Sequence, residues 1–361
     1  MGNPLNIALV HRRFTEHGGT ERFLVGLARY LRERGHVIHV YCNEVRPDLA
    51  DEPGVTFHHL PMVKLGMTAK IASLYYTSAS ASRGGHDVVM GFGRTRGHDV
   101  FRCGGGAHAA YLEACRPGWR RDPTAWMERA FDRQAVLSAE TVISPSQRAA
   151  DDLIQRYGLP PERVRVLHNG VDTDRFRPDP QRRAAAREAL GLGDGPALAF
   201  FGTGFERKGL ADAAAVAETL SLPLFAIGHD SGLDRWKRRF PAVNFLGGVS
   251  DPERWLPAAD VVLLPTRYEP YGNACLEAMA CGVPAVTTPV NGVAEVFPVD
   301  WLTGATVEEL VEATRRALDA GQLLRDQCRL AAEGLPRGRA YEGIEETLLR
   351  VRTAADTRES T

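Results

Sequence analysis

An unbroken apolar run from Leu5 to Val10 is followed by a polar, glycine-bearing turn from Arg12 to Gly19. After it Phe23, Leu24, Leu27, Ala28 and Leu31 recur at helical spacing. A short continuous apolar run predicts a buried strand, and a 3.6-residue period predicts an amphipathic helix. Thr20 is placed to cap that helix and Gly35 to stop it. A second apolar run, Val37 to Cys42, comes next, so the chain opens with a βαβ unit whose parallel strands need helices on both faces. The alternation predicts further strands near 87–91 and 141–144. Around 164–180 it breaks: a strand, an Asn-Gly pair, then prolines and charges without apolar period read as an interdomain hinge. Beyond it strands are predicted at 197–202, 224–228, 243–247, 261–265 and 285–288. Val307, Leu310, Val311, Thr314 and Leu318 then mark an amphipathic helix, another helix follows, and the polar tail after about Arg352 is expected to fray.

The expected fold is therefore α/β, with two Rossmann-like, doubly wound parallel-sheet domains. Residues 1–168 form the first and 169–345 the second, with a tail at 346–361 that packs back on the first. The length of 361 residues suits two such domains, and 44% hydrophobic with 25% charged residues excludes disorder for most of the chain. Lys and Arg total 44 against 45 Asp and Glu, so no global field draws the protein to nucleic acid. Six scattered cysteines without a CxxC pair argue for a reducing cytoplasm and against a structural zinc site. The opening MGNPLNIALVHRR lacks the order of a signal peptide, and no Ser or Thr follows Met1-Gly2 as acylation would require. Two doubly wound domains leave a central cleft between the carboxyl ends of their sheets, where ligands bind.

The segment PTRYEPYGNACLEAMACGVPAVTT, residues 265–288, is the richest in chemistry. A strand ends at Pro265, a loop carries Glu269, and a helix starts near Gly272-Asn273 and stops at Gly282. The backbone N–H groups of Asn273, Ala274 and Cys275 and the helix dipole would attract a phosphate. Glu269 and Glu277, one on the loop and one on the helix, repel a phosphate and suit hydroxyls, so the combination reads as a sugar nucleotide. In FFGTGFERKGL, residues 200–210, Arg207 and Lys208 follow a strand end and are placed to neutralise a diphosphate leaving group. The segment is neither a Walker A loop nor a GxGxxG fingerprint.

In the first half Gly18 and Gly19 follow the first strand, where a ligand or merely a tight turn would account for them. A glycine-rich stretch, residues 91–113, presents His98, Asp99 and His108. Asp172-Thr173-Asp174 matches a metal-binding DxD pattern, but its place in the hinge favours a turn, and no metal is expected.

GGTER at 18–22, NGVD at 169–172, GTGFERKG at 202–209, EPYGNACLE at 269–277 and NGVAEV at 291–296 together resemble retaining glycosyltransferase family 4, with its GT-B architecture. Within the family the wording is most similar to the lipopolysaccharide core heptosyl glucosyltransferases. The resemblance implies a hexose, glucose first, moved from a UDP-sugar donor to a glycan or lipopolysaccharide-core acceptor without a cofactor. It implies that Glu269 binds donor-sugar hydroxyls and Glu277 the ribose, while the backbone of Tyr271, Gly272, Asn273 and Ala274 holds diphosphate or sugar. Arg207 and Lys208 would stabilise the departing diphosphate, Gly18 and Gly19 would approach it, and His108 would lie near the sugar with Asp99 beside it. Val249, after Gly247-Gly248, would help read the base. Tyr271-Gly272-Asn273 stands where many relatives have Phe-Gly-Leu, which leaves the donor sugar open.

Two other readings remain at this point, a sugar-nucleotide epimerase of the same fold and a NAD-dependent oxidoreductase. A lipid-linked acceptor would bring the enzyme to the inner face of a membrane. Arg116, Trp119, Arg120, Arg121, Trp126 and Arg129, and the stretch from Lys64 to Arg83 with Tyr75-Tyr76, are candidates for peripheral contact there.

Overall fold

The computed structural model describes residues 4–16 and 18–359. The positions considered for acylation, Met1 to Asn3, and the last two of the tail lie outside them. The strands are β1 (Asn6–Val10), β2 (Arg13–Phe14), β3 (Val37–Cys42), β4 (Glu44–Val45), β5 (Val55–His59), β6 (Val88–Phe92), β7 (Val100–Arg102), β8 (Thr141–Ser144), β9 (Val164–Val166), β10 (Leu198–Phe201), β11 (Leu224–Ile227), β12 (Val243–Gly247), β13 (Val261–Leu264) and β14 (Ala285–Thr287). Seven of them form one sheet in the order β5-β3-β1-β6-β7-β8-β9 and five a second in the order β12-β11-β10-β13-β14. Every pairing in both sheets is parallel. In each sheet the first strand in sequence lies inside and the order reverses beside it, the doubly wound arrangement that opens a ligand crevice at the carboxyl ends of the strands.

The helix Gly19–Glu33 buries Leu24, Val25, Leu27, Ala28 and Leu31, the face read from their spacing. Its cap is Gly18, with φ +105°, and Thr20 sits inside the first turn. This corrects the expected cap: the chain leaves β1 in a backbone conformation that only glycine adopts readily, so the helix begins two residues earlier.

The chain divides into two compact units, one comprising the residues up to His168 together with those from Gly338 on, the other Asn169–Arg337. The core of the second unit is built on Phe200, Phe225, Leu263, Cys275 and Met279, all at most 1% exposed. That of the first is built on Ile7, Leu9, Leu24, Leu27 and Val40 and takes in Tyr341, Ile344, Leu348 and Val351. Those four residues lie on the helix Arg337–Glu359. The second unit thus closes before the expected boundary at 345, because the apolar stripe of the last helix begins at Tyr341 and belongs to the first core. The same helix runs on past Arg352, where a frayed tail was expected. Among the described residues no helix is long and apolar enough to cross a membrane.

Candidate active site

In the second unit β10 runs into Gly202 and Gly204, and a single turn of helix, Phe205–Lys208, carries Arg207 and Lys208. Arg207 Nη1 donates to Glu269 Oε2 at 2.7 Å and to the Tyr268 carbonyl at 2.9 Å. Lys208 Nζ donates to the same Oε2. Burial pushes the Glu269 carboxyl upward, but the charges of Lys208 and Arg207 and their hydrogen bonds outweigh it and hold the group below the usual carboxylate range. Arg207 and Lys208, which the sequence assigned to the diphosphate, and Glu269, assigned to the sugar, are therefore one charge cluster at the carboxyl edge of the sheet.

The loop bearing Glu269 is held by its own neighbours. The Gly292 N–H donates to the Glu269 carbonyl at 3.0 Å, and Arg267 N–H to the Arg207 carbonyl at 2.8 Å. Thr266 Oγ1 bonds the Arg207 and Tyr268 carbonyls at 3.1 and 3.2 Å. Asn291, 1% exposed, donates through Nδ2 to Thr287 Oγ1 at 3.0 Å. A Cβ on Gly272 would meet that amide at 2.6 Å, so glycine is required there by close approach. The Asn291-Gly292 pair signals a turn in the sequence, and only the fold brings Asn291 against Gly272.

The helix Asn273–Ala280 starts directly after Gly272. The Asn273 N–H donates to the Tyr271 carbonyl at 3.1 Å and the Cys275 N–H to Gly272 at 2.9 Å. These two amides, expected to face a phosphate, are taken up by the tight turn into the helix. The Asn273 side chain accepts from Asn169 Nδ2 at 2.9 Å. Glu277 lies within the helix at 8% exposure; burial lowers the Arg175 pKa, but the hydrogen bond and charge of Glu253, helped by the charge of Glu277, outweigh it and raise it. Burial pushes the Cys275 thiol up to about 12, which leaves it no nucleophile. Val249, in the loop after β12, packs at the margin of the second core. Asp172 Oδ1 accepts the Arg175 N–H at 3.0 Å, so the first aspartate of the DxD pattern serves a turn.

In the first unit a cavity of about 200 Å³ is lined by His11, Thr20, Arg94, Arg102, His108 and Tyr111, among others. His108 opens the helix His108–Cys115 and its N–H donates to Asp132 Oδ2 at 3.0 Å. Its ring meets Arg94 Nη2 at 2.8 Å and Glu128 Oε2 at 3.5 Å. The hydrogen bond with His108 lowers the Glu128 carboxyl, burial opposes it, and the Arg94 charge adds to the lowering. Arg94 and Glu128 escaped the sequence reading because neither carries a local signal. Gly18 and Gly19 stand at the start of the helix after β1.

Asp99 is corrected as a site residue. Its Oδ2 accepts the Val89 N–H at 2.8 Å, and it precedes β7, at the amino end of a strand whose carboxyl end leads to His108. A carboxylate spent on the sheet backbone at that end is remote from the edge where parallel sheets bind ligands.

The profile of Glycosyltransferase Family 4 matches residues 17–175 and that of Glycosyl transferases group 1 matches residues 195–320. A D-inositol 3-phosphate glycosyltransferase from Geodermatophilus obscurus is 28% identical over 400 aligned positions, covering 94% of this chain and 85% of that protein. Among solved structures, WaaG, a glycosyltransferase involved in lipopolysaccharide biosynthesis, superposes with a TM-score of 0.81 at 22% identity over 95% of this chain and 99% of that one. HepE from Anabaena, solved in complex with UDP-glucose, superposes with a TM-score of 0.74 at 18% identity over 96% of this chain and 100% of that one. The two family matches take up most of the chain, Glycosyltransferase Family 4 in one half and Glycosyl transferases group 1 in the other, and the fold agrees along its length: the chain is a glycosyltransferase with the GT-B fold.

Proposed function

We propose that the enzyme is a retaining hexosyltransferase that moves a hexose, with glucose the first candidate, from a UDP-sugar to a glycan or lipopolysaccharide-core-type acceptor. The observation that carries this reading is the convergence of Arg207 and Lys208 on Glu269. Two cations held at the carboxyl end of β10 supply what a departing diphosphate needs, charge already in position when the glycosidic bond breaks. Glu269, relieved of part of that charge when the diphosphate takes it up, offers its oxygens to donor-sugar hydroxyls. Glu277 takes the ribose, the turn from Tyr271 to Ala274 holds the sugar and diphosphate, and Val249 lies beside the base. Gly18 and Gly19 approach the donor and His108 its sugar. With retention, the leaving phosphate accepts the acceptor proton on the face where the new bond forms. The two cations meet the charge requirement, so this scheme asks for no metal and no cofactor. The first unit takes the acceptor, at the inner face of a membrane where that acceptor is a glycolipid.

The cavity beside Arg94 and Arg102 supports a second acceptor class. Two guanidinium groups beside a small cavity suit a small phosphorylated polyol, and relatives named for D-inositol 3-phosphate fit that reading.

The test is the melting temperature with UDP, GDP, ADP and NAD, each with and without EDTA. A ligand at about 100 times its dissociation constant adds roughly 2.7 kcal/mol. A rise with UDP that ignores EDTA is expected. A rise with NAD alone, or only when metal is present, overturns the proposal.

A further inference from the structure

The segment from Asn169 to Phe176, by which the chain enters the second unit, is fixed at both ends. A Cβ on Gly170 would meet the backbone of Pro336 and Arg337 at 2.4 to 2.6 Å, so glycine lets the entering chain lie directly against the leaving one. Phe176 is fully buried in the second core, and its N–H donates to the Asp172 carbonyl at 2.9 Å. With Asp172 Oδ1 taking the Arg175 N–H as well, the backbone of Arg175 has little freedom left. Its side chain reaches away from the segment. Nη2 donates to the Ser250 carbonyl at 3.0 Å and to Glu253 Oε2 at 2.9 Å, and the charge of Glu277 acts on the same guanidinium.

Ser250 belongs to the loop between β12, which ends at Gly247, and the helix Pro252–Trp255, which carries Glu253. Gly248 and Ser250 are exposed and Val249 half-buried. Among the described residues the bond from Arg175 is the one hydrogen bond that the backbone of residues 248–250 makes. A loop headed by two glycines, with no ladder to hold it, samples many conformations unless something outside fixes one. Arg175 supplies that fixing contact. The N–H and carbonyl of Val249 stay unpaired among the described residues, and together they offer one donor and one acceptor. The edge of uracil, an N–H beside a carbonyl, is complementary to such a peptide.

We propose that Arg175 is a positioning residue of the donor site, bracing the loop 248–251 so that the Val249 peptide meets the uracil edge while Glu277 meets the ribose. The inference rests on the donor reading above and adds the residue that gives the nucleoside end its fixed shape. A loop ordered beforehand raises affinity without touching the ligand, because its freedom is lost on folding and not on binding. An ion pair with Glu253 that served the surface alone would leave nucleotide binding unchanged.

Calorimetric titration of the whole protein with UDP, ADP and inorganic pyrophosphate separates these outcomes. The wild type is expected to bind UDP more tightly than either of the others. For Arg175→Ala the UDP affinity is expected to fall by about tenfold or more, the scale of losing a hydrogen bond from a charged group. Pyrophosphate affinity is expected to hold, since Arg207 and Lys208 still meet it, and the preference for UDP over ADP narrows. In turnover the change belongs to the donor KM rather than to kcat. Arg175→Lys, which can still donate to the Ser250 carbonyl, is expected to restore most of the loss. An Arg175→Ala variant that prefers UDP as the wild type does overturns this inference and leaves the donor reading standing. Equal losses of UDP and pyrophosphate affinity would show general damage to the unit and also overturn it. A wild type that binds pyrophosphate without preferring UDP removes the donor reading, and the inference falls with it.

Discussion

Arg207 and Lys208 share one oxygen of Glu269, and the carboxylate is 12% exposed, so each partner depends on the others for its charge balance. Glu269→Ala leaves two cations at the sheet edge without their counter-ion. The expected result is a loss of turnover of about 100-fold or more, the scale of removing one electrostatic contact to a reacting centre. UDP affinity is expected to change little, since the cations that meet the diphosphate remain. Folding stability is expected to fall by about 3 kcal/mol, as when one partner of a buried pair is removed. Steady-state kinetics, nucleotide titration and a melting curve check the three parts. Turnover that survives the substitution would remove Glu269 from the machinery.

The short strand β7 shows how an element is held by a titratable group beside it. His98, just before the strand, sits between the sheet and the helix Pro123–Ser138, its ring stacked on Phe101 at 5.1 Å. Nε2 donates to the Ala135 carbonyl at 2.9 Å. Burial lowers its pKa to about 4, against about 6.5 in the unfolded chain. The folded state therefore holds this ring neutral, and the unfolded state binds a proton below pH about 6.5. Stability from this group is complete above that value and drains as pH falls toward 4, by about 3 kcal/mol in all. The melting temperature of the wild type should drop across that window. His98→Asn should be less stable at pH 7 and show a shallower drop, and an equal slope in both would show that other groups govern the acid limit.

At the scale of the molecule, the chain leaves the first unit after His168 and rejoins it at Gly338. Val171 N–H donates to the Leu335 carbonyl at 2.9 Å, and Arg337 N–H to the Val171 carbonyl at 3.1 Å, so the entering and leaving strands of the second unit are laced together. The last helix then completes the first core. Tyr30 OH donates to Glu345 at 3.0 Å and Arg165 to Thr347 at 2.7 Å, while Leu348 is fully buried. Leu348→Ala should cost about 2–5 kcal/mol, the range for a buried leucine. Calorimetry should place that loss in the first unit and leave the melting of the second unchanged. A single transition lowered as a whole would mean that the two units unfold together.

The period of the apolar residues was enough to determine the two parallel sheets, because a strand buried on both faces must be continuously apolar and the helices that cover it must be amphipathic. The candidate segments around Glu269 and around Arg207 and Lys208 were legible for a related reason: they follow strand ends, where parallel sheets present their ligands. What the tertiary structure alone decided involves residues distant in sequence. The three-residue β7 is too brief for a period to distinguish, and β5, VTFHH, has no continuous apolar run, so pairing with neighbours defines both. Asp99 looked like a site residue until the register placed it against Val89, and Arg94 and Glu128 carried no signal until the fold brought them to His108. The tail from 346 on was expected to pack back on the first unit, but only the assembled core of that unit shows that the stripe begins earlier, with Tyr341 and Ile344. Local pattern determines which elements form, because helix hydrogen bonds and the apolar faces of both helices and strands are short-range properties. Which charges meet depends on chain segments that only the assembled sheets bring together.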